Sequence, residues 1–455
     1  MTSDDIPDID VDERVDKDLK TLVKPWRLPQ PKKLAFVNGI IVDSLKGRTI
    51  EGSVVLSEGG YFTDIVSSEG FDPKDYKVID CLGKYLCPGL FDFHVHLVSV
   101  PSEDGLTRTM RMPKESALMR VGSSCEQMLK RGFTSARDCG GLEHFIADAV
   151  EDGAIYGPRL FFCGHAISQT GGHGDTNPTD LPGEGMESCN CHLANLAVVA
   201  DGTTECMKAA REQFRRGASF IKIMGGGGVA SPSDRLSNRQ FTAEEIKSIV
   251  SVADTYHSFV TAHTYTPEAI KYCIENGVKG VEHGNFLDDE CAELMAKKGC
   301  YLTPTLVTYK VMASKQWKLF LTSSSQEKNL EVIKVGLRAL LIAKRHNVKM
   351  CYGSDLLGAM QDYETGEFFL RGKVLPAADV LRAATVTPAE ALGLSDKIGQ
   401  IKKGFYADLL LLEENPLDDI GTLDLPETNL LMVMKQGVVY SSKFKGLKED
   451  VSGKY

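Results

Sequence analysis

The chain has no apolar stretch long enough to cross a membrane, and its first 18 residues contain no hydrophobic segment of the kind that directs secretion. It also has no excess of basic residues, since 52 Lys and Arg stand against 62 Asp and Glu, for a net charge of −10. A nucleic-acid binder needs a basic surface to neutralise phosphates, so this balance argues against one. We therefore expect a cytoplasmic protein that binds neither nucleic acid nor membrane.

The twelve cysteines show neither a disulfide framework nor a repeated C-x-x-C pair at zinc-ribbon spacing. Without secretion, we expect them to be mostly reduced thiols. Cys189, Cys191 and His192 are close enough together to hold a metal ion, but one short cluster in a glycine-rich loop is weak evidence for a site.

Three regions differ in their residue patterns. Residues 1–32 are acidic and then interrupted by prolines, which predicts a loosely packed extension. Residues 33–86 and 401–445 alternate β-branched residues with turn residues, as short antiparallel strands do. We expect these two segments to pair with each other into one small β-sandwich domain formed by both termini.

Residues 87–400 have a different pattern, in which short apolar runs alternate with amphipathic, helix-like segments. There are eight such runs, at 90–97, 133–139, 159–164, 220–225, 259–265, 280–284, 301–307 and 348–355. Apolar strands that alternate with helices indicate a parallel sheet covered on both faces. Eight units favour an α/β fold of the closed (β/α)8 (TIM) barrel type over an open doubly wound sheet.

Polar residues cluster at the carboxyl ends of these predicted strands. They are His94 and His96 on the first strand, Lys222 on the fourth, His263 on the fifth, His283 on the sixth and Asp355 on the eighth. Imidazole and carboxylate are zinc ligands, and strand ends of a barrel meet at one face. Each residue alone has a structural explanation: a strand lysine can pair with a carboxylate, and an aspartate can cap a helix. Together, in this order, they predict a metal site.

Two further motifs carry a resemblance to a known family. PGLFDFHVHL (88–97) resembles the opening signature of the metal-dependent amidohydrolase superfamily, and residues 387–417 resemble its closing signature. The similarity extends over nearly all of residues 33–440. It implies two divalent metal ions, one held by His94, His96 and Asp355 and the other by His263 and His283. It also implies that carbon dioxide carboxylates Lys222 and that the carbamate bridges the ions. Zinc is the expected metal, although manganese or cobalt would suit the same ligands.

Three loops narrow the resemblance to one branch. ISQTGGHGD (167–175), KIMGGGGVASPSD (222–234) and TAHTYTPEAI (261–270) resemble the branch that contains Xaa-Pro dipeptidases and ochratoxin-hydrolysing amidases. This resemblance implies that His173 contacts the scissile carbonyl and that Tyr265 reaches the free carboxylate of the substrate. The residues themselves leave alternatives open, because a loop histidine is often solvent-exposed and a strand tyrosine often only packs.

The loop after the fourth strand contains two more features. Arg235 is a candidate carboxylate clamp, because a guanidinium binds a carboxylate through two hydrogen bonds, although a solvated arginine is the alternative. The glycines at 225–228 are not a phosphate-binding loop, since no GK[ST] follows them. We expect them to allow the backbone to approach the metal site or the substrate.

These features predict an enzyme that hydrolyses an amide or peptide bond in a small-molecule or dipeptide substrate, with release of a C-terminal amino acid. Asp355 would act as general base and then general acid. Alternatives are a cyclic-amide hydrolase resembling imidazolonepropionase or dihydropyrimidinase, and a non-catalytic scaffold. A deaminase is disfavoured because deaminases of this superfamily typically use one metal ion, whereas a lysine on the fourth strand usually accompanies two. A scaffold is disfavoured because the set of metal ligands is complete. We expect a homo-oligomer.

Overall fold

A computed structural model describes residues 22–102, 112–175, 196–231 and 234–451. Most of the acidic extension and the Cys189, Cys191 and His192 cluster lie outside the described residues. Within these ranges no helix has the length and apolar character needed to span a bilayer. The ten described cysteines are all free and buried, in agreement with the expectation of reduced thiols.

The strands and helices follow one another along the chain. The described strands are β1 (Leu34–Val37), β2 (Ile40–Asp43), β3 (Arg48–Ile50), β4 (Ser53–Glu58), β5 (Tyr61–Ser67), β6 (Lys77–Asp80), β7 (Tyr85–Pro88), β8 (Leu90–Val95), β9 (Phe133–Asp138), β10 (Arg159–Phe162), β11 (Ala166–Ser168), β12 (Ala197–Val199), β13 (Ile221–Met224), β14 (Val260–Thr264), β15 (Gly280–His283), β16 (Tyr301–Thr303), β17 (Lys349–Met350), β18 (Leu409–Leu412), β19 (Leu430–Lys435) and β20 (Val438–Ser442). The described α-helices are α1 (Lys114–Lys130), α2 (His144–Glu151), α3 (Gly202–Arg215), α4 (Ala243–Thr255), α5 (Pro267–Glu275), α6 (Asp289–Lys298), α7 (Leu306–Met312), α8 (Ser323–Arg345), α9 (Gly366–Gly372), α10 (Ala377–Ala383), α11 (Val386–Ala391) and α12 (Pro426–Asn429).

Both ends of the chain contribute to one six-stranded sheet, in the order β20-β19-β18-β7-β2-β3. The antiparallel pairing of β7 with β18, in which Leu86 lies opposite Leu411, joins the two ends. A four-stranded sheet, β5-β4-β1-β6, accompanies it. Buried side chains from both sheets, including Phe36, Phe62 and Met434, form one hydrophobic cluster. Burial of these apolar surfaces stabilises the association of the two sheets.

The middle of the chain forms two parallel sheets, β10-β9-β8 and β12-β11-β13-β14-β15-β16-β17. Every residue of β8 and β14 is buried, as expected for parallel strands that helices cover on both faces. Helix starts agree with local sequence signals: α4 begins with a capping box formed by Thr242 and Glu245, and α5 has the cap Thr266 followed by a proline. The α/β architecture predicted for this region is therefore confirmed.

Each of the eight predicted runs contains a strand, with three differences in detail. The eighth run contains only the two-residue strand β17, and Asp355 lies beyond its end. In the third run, the strand β10 ends at Phe162 and a second short strand, β11, follows it. β10 pairs with β9, while β11 pairs with β13 in the other parallel sheet. Gly164, at a positive φ of 69°, lies between these two strands and allows the change of direction. The seventh strand is shorter than predicted, because Pro304 follows it without an N–H to continue the ladder and α7 begins soon after.

The first and eighth runs lie side by side. The Phe93 amide donates a hydrogen bond to the Tyr352 carbonyl at 2.8 Å, and the Asp355 amide donates to the His94 carbonyl at 2.8 Å. These bonds hold the chain after β17 against β8. As a result, the residues predicted at the first and last strand ends are neighbours.

Candidate active site

Asp355 lies at the centre of the predicted ligand set. Its Oδ1 is 3.3 Å from His96 Nε2 and 3.4 Å from His94 Nε2. One potential ligand atom from each of His94, His283 and Asp355 lies within 4.8 Å of the others. The three predicted residues on the first, sixth and eighth strands thus converge, although 72 to 189 positions separate neighbours along the chain.

His263 and Lys222 border this group on adjacent strands. The rings of His263 and His283 have centroids 4.5 Å apart, and those of His94 and His283 are 4.9 Å apart. Lys222 is buried on β13 and pairs in register with Thr261, two residues before His263. The sheet therefore brings the lysine beside the histidines, as the order of the strands predicts.

The electrostatics of the site favour a neutral imidazole at His94, His263 and His283, but not at His96. Burial acts to lower the pKa of His96, but the hydrogen bond and charge of Asp355 outweigh it and raise that pKa. Burial lowers the pKa of His94 to about 4, and the nearby Lys222 charge contributes in the same direction. Burial likewise holds the pKa of His263 and His283 well below the usual value. A neutral imidazole keeps a lone pair, which metal binding requires. For Asp355, burial acts to raise the pKa, but His94, His96 and His283 outweigh it and lower the pKa below the usual range.

Two of these residues have an uncommon backbone conformation. His283 has φ of 71° and Asp355 has φ of 54°, both in the left-handed region that non-glycine residues seldom occupy. Such conformations cost about 1–3 kcal/mol and concentrate at functional sites. His283 is the last residue of β15, and Asp355 lies in the segment that follows β17. At both positions this backbone conformation directs the side chain towards the site.

One ring nitrogen of each histidine is already engaged, which leaves the other available. His94 Nδ1 donates to Glu282 Oε2 at 2.7 Å, and His96 Nδ1 donates to the Gly140 carbonyl at 3.0 Å. His263 Nε2 donates to the Gly227 carbonyl at 3.3 Å. Partners of this kind fix the tautomer and the orientation of a metal-binding imidazole.

Sequence reasoning missed the residues behind His94. Glu282 Oε1 accepts a hydrogen bond from Arg137 Nη2 at 2.6 Å and another from the Thr261 hydroxyl. The Arg137 guanidinium is fully buried between the rings of Phe93 and Phe220, 3.8 and 4.8 Å from their centroids. The available signal was a charged residue inside an apolar run, because burying an unpaired charge is costly.

Asp92 is another buried residue that the sequence analysis did not single out. Its Oδ1 accepts hydrogen bonds from the His94 amide at 3.0 Å and the Ser354 amide at 3.1 Å. It therefore holds the backbone of the first strand against the segment that carries Asp355.

His173 lies against the ligand set from the loop side. Its ring stacks on His263 with centroids 4.2 Å apart, and its Nδ1 is 2.8 Å from Ser231 Oγ. A Cβ on Gly228 would come within 1.9 Å of the His173 ring, and one on Gly227 would come within 1.8 Å of the Arg235 carbonyl oxygen. Gly228 therefore permits the close approach of the loop backbone to the His173 ring, and Gly227 permits its approach to the Arg235 carbonyl.

Of the two carboxylate-binding candidates, only Tyr265 lies with the ligands. Its ring centroid is 4.9 Å from that of His263 and 5.3 Å from that of His283, and its side chain is buried. Arg235 is exposed, and within the described ranges its guanidinium makes no hydrogen bond or ion pair with the site. A substrate-binding role stays a prediction for His173, Tyr265 and Arg235.

The chain is similar in sequence and in fold to known amidohydrolases. The model of the amidohydrolase family matches residues 85–440. An ochratoxinase from Aspergillus niger is 33% identical over 353 residues, which are 75% of this chain and 73% of that protein. A crystal structure of an amidohydrolase is 38% identical, with a TM-score of 0.87 over 91% of this chain and all of the other. A prolidase structure complexed with N-methylphosphonate-L-proline is 37% identical, with a TM-score of 0.86 over 90% of this chain and 99% of the other.

Proposed function

Since the chain belongs to the amidohydrolase family and is a hydrolase of amide or peptide C–N bonds, we propose that it uses two metal ions to release a C-terminal amino acid from a dipeptide or N-acyl amino acid. The single observation that carries this proposal is the convergence of His94, His283 and Asp355 beside Lys222 and His263. The similarity to a prolidase and an ochratoxinase supports the substrate class.

We also propose the domain arrangement that suits this activity. Residues 87–400 form a closed (β/α)8 barrel, supported by the hydrogen bonds between the first and eighth runs. Residues 33–86 and 401–445 form the β-sandwich domain, supported by the hydrophobic cluster that their two sheets share. We propose that residues 1–32, of which the structure describes 22–32, belong to neither domain.

The donor set fits two divalent ions. His94, His96 and Asp355 would hold one, and His263 and His283 the other, with the carbamate of Lys222 between them. Neutral imidazoles and an ionised carboxylate are the protonation states that zinc requires. Burial favours the neutral form of His94, His263 and His283, and the neighbouring histidines favour the ionised form of Asp355, whereas Asp355 raises the pKa of His96. Ions bound here would supply Lewis acidity, which lowers the pKa of water and polarises a carbonyl group.

The protein residues would then divide the remaining work. The Asp355 carboxylate accepts a proton from the attacking water and later gives it to the leaving amine. The His173 ring stacks on that of His263, and from this position it would orient the scissile carbonyl. Tyr265 offers a phenolic hydroxyl to the carboxylate of the departing amino acid. Arg235 is a second candidate for that carboxylate, and it would have to move inward from the surface.

A hydrolysis panel on the zinc-loaded protein tests the proposal. Mass spectrometry would follow Xaa-Pro dipeptides, N-acyl amino acids including an aromatic acyl-phenylalanine, and cyclic amides. We expect release of a free C-terminal amino acid, which Asp355→Asn abolishes while the fold is retained. Ring opening of a cyclic amide would support the cyclic-amide alternative and contradict the proposed substrate class. No turnover with two bound metal ions would also contradict it.

A further inference from the structure

A chain of hydrogen bonds connects the ligand candidate His283 to Tyr265. His283 Nδ1 lies 2.8 Å from Thr305 Oγ1, Thr305 Oγ1 lies 3.4 Å from the Tyr309 hydroxyl, and this hydroxyl lies 2.9 Å from that of Tyr265. All four side chains are buried, with 0 to 2% of their surface exposed. Thr305 precedes α7 and Tyr309 lies within it, so one short segment supplies both intermediate links.

The number of hydrogens on each group fixes the direction at the His283 end of the chain. Thr305 donates its only hydroxyl hydrogen to Tyr309, so the bond between His283 and Thr305 is donated by Nδ1–H. Either hydroxyl can donate the bond between Tyr309 and Tyr265. When Tyr309 donates it, the Tyr265 oxygen accepts from Tyr309 and from the Val229 backbone amide, and the Tyr265 hydrogen is left to be donated elsewhere.

Both phenols have a hydrogen to donate, because a tyrosine with an ordinary pKa of about 10 is protonated at neutral pH. An acceptor inside such a site gains most when it is charged, because a hydrogen bond to an ionised group is about twice as strong as one between neutral groups. A carboxylate is the acceptor that this arrangement favours.

We propose that Tyr309 is a positioning residue which, through Thr305 and Tyr265, sets His283 as the Nδ1–H tautomer and directs the Tyr265 hydroxyl as a donor to the free carboxylate of the substrate. This inference rests on the proposed function for the identity of the substrate. Recognition of the substrate's C-terminal carboxylate would then depend on Tyr309, a residue that does not touch the substrate. With Nδ1 engaged by Thr305, His283 would bind a metal ion through Nε2, while Nδ1 itself lies 3.8 Å from Asp355 Oδ2.

The test compares Tyr309→Phe, Tyr265→Phe and the double variant, with Tyr301→Phe as the matched control. Tyr301 lies at the start of β16, away from the hydrogen-bond chain. For an N-acyl amino acid, Tyr309→Phe is expected to raise KM about two- to tenfold, the range for one lost hydrogen bond, with a smaller change in kcat. The double variant should be no worse than Tyr265→Phe alone. The same substrate with a C-terminal carboxamide should be insensitive to Tyr309→Phe.

A binding measurement separates this inference from the proposed function. Calorimetry with an N-methylphosphonate amino acid, a probe that carries the carboxylate without needing turnover, should show the same two- to tenfold loss of affinity in Tyr309→Phe (roughly one hydrogen bond). The double variant should lose no more affinity than Tyr265→Phe alone. If wild-type protein releases no amino acid, the proposed function fails while this measurement still decides the inference. Additive effects of the two substitutions, equal loss with the carboxamide, or absence of probe binding to wild type would overturn it.

Discussion

Glu282 holds His94 from behind. Its Oε2 accepts the Nδ1 hydrogen of His94 at 2.7 Å, while its Oε1 binds the buried guanidinium of Arg137 at 2.6 Å. The positive guanidinium keeps the pKa of this carboxyl well below the usual value although burial acts to raise it. An ionised Glu282 increases the basicity of His94, which is a property of strong metal ligands.

We therefore expect Glu282→Gln to weaken metal binding about ten- to a hundredfold, the range for loss of such a partner. Competition with a chromophoric chelator measures this affinity directly. The substitution also leaves Arg137 without its counter-charge, so the free energy of unfolding should fall by about 3–5 kcal/mol.

Glu290→Gln is the control for this experiment. Glu290 pairs with Lys271 at the surface, where its side chain is 71% exposed, so its loss should change neither metal affinity nor stability by a measurable amount. Equal metal affinity in Glu282→Gln and wild type would show that Glu282 only packs behind the site.

Gly228 permits the position of His173. A Cβ there would lie 1.9 Å from the His173 imidazole, which cannot remain stacked on His263. Gly228→Ala should lower kcat/KM at least about tenfold, since small displacements of a group that orients the substrate are costly, while bound metal stays at the wild-type level.

Gly226→Ala is the matched control within the same run of glycines. Its nearest atom to a new Cβ is the Ala269 Cβ at 3.3 Å, so a small adjustment accommodates it. Equal activity in the two alanine variants would mean that the position of His173 does not matter to the reaction.

The sequence was sufficient to predict where the ligand candidates lie, because the signals were local. His94 lies near the end of β8, His96 lies directly after it, and Asp355 lies in the segment that follows β17. The carboxyl ends of parallel strands share one face whatever the loops do. The left-handed conformation of His283 and Asp355 was not predictable, since it depends on tertiary contacts that hold a strained backbone in place.

The residues around the ligands were predictable only in part. Arg137 and Glu282 lie in different predicted runs and form a pair only after β9 and β15 have come together, so neither run alone indicates the partner. Arg235 is the opposite case, a residue that the sequence suggested but that lies away from the ligands. Its loop position suggested a role in substrate binding, but whether a loop side chain points inward depends on loop conformation, and here it is exposed.

Glu364 should make stability depend on pH. Burial raises the pKa of this carboxyl to about 7, against the lowering effect of Arg131, whose Nε lies 2.9 Å away. A raised folded-state pKa means that the folded protein holds the proton more tightly. Its contribution to stability is therefore full below about pH 4.5 and is lost as the pH rises towards about 7.

Glu364→Gln removes this titration, together with the part of the raised pKa of Asp92 that the Glu364 charge contributes. The unfolding free energy of wild type minus that of the variant should decrease between pH 4.5 and 7, by up to about 3 kcal/mol at about 1.4 kcal/mol per pKa unit. Urea unfolding of both proteins at the two pH values measures this difference. A difference that stays constant, or that increases with pH, would contradict the raised pKa.

Lys222 distinguishes an enzyme from a scaffold. Its side chain is 1% exposed on β13, next to the strand that carries His263. If its carbamate bridges two ions, Lys222→Ala should lose at least one ion and reduce kcat by several orders of magnitude, since the polarising charges go with it. Metal content by elemental analysis and the hydrolysis panel measure these two effects.

Native mass spectrometry in bicarbonate should detect one added carbon dioxide on wild type and none on the variant. Lys279→Ala, which replaces an exposed lysine beside β15, should match wild type in all three measurements. Full metal content and activity in Lys222→Ala would contradict the bridging carbamate. Loss of metal without loss of a partner-binding function would instead support the scaffold alternative, because a scaffold needs the shape of the barrel and not its chemistry.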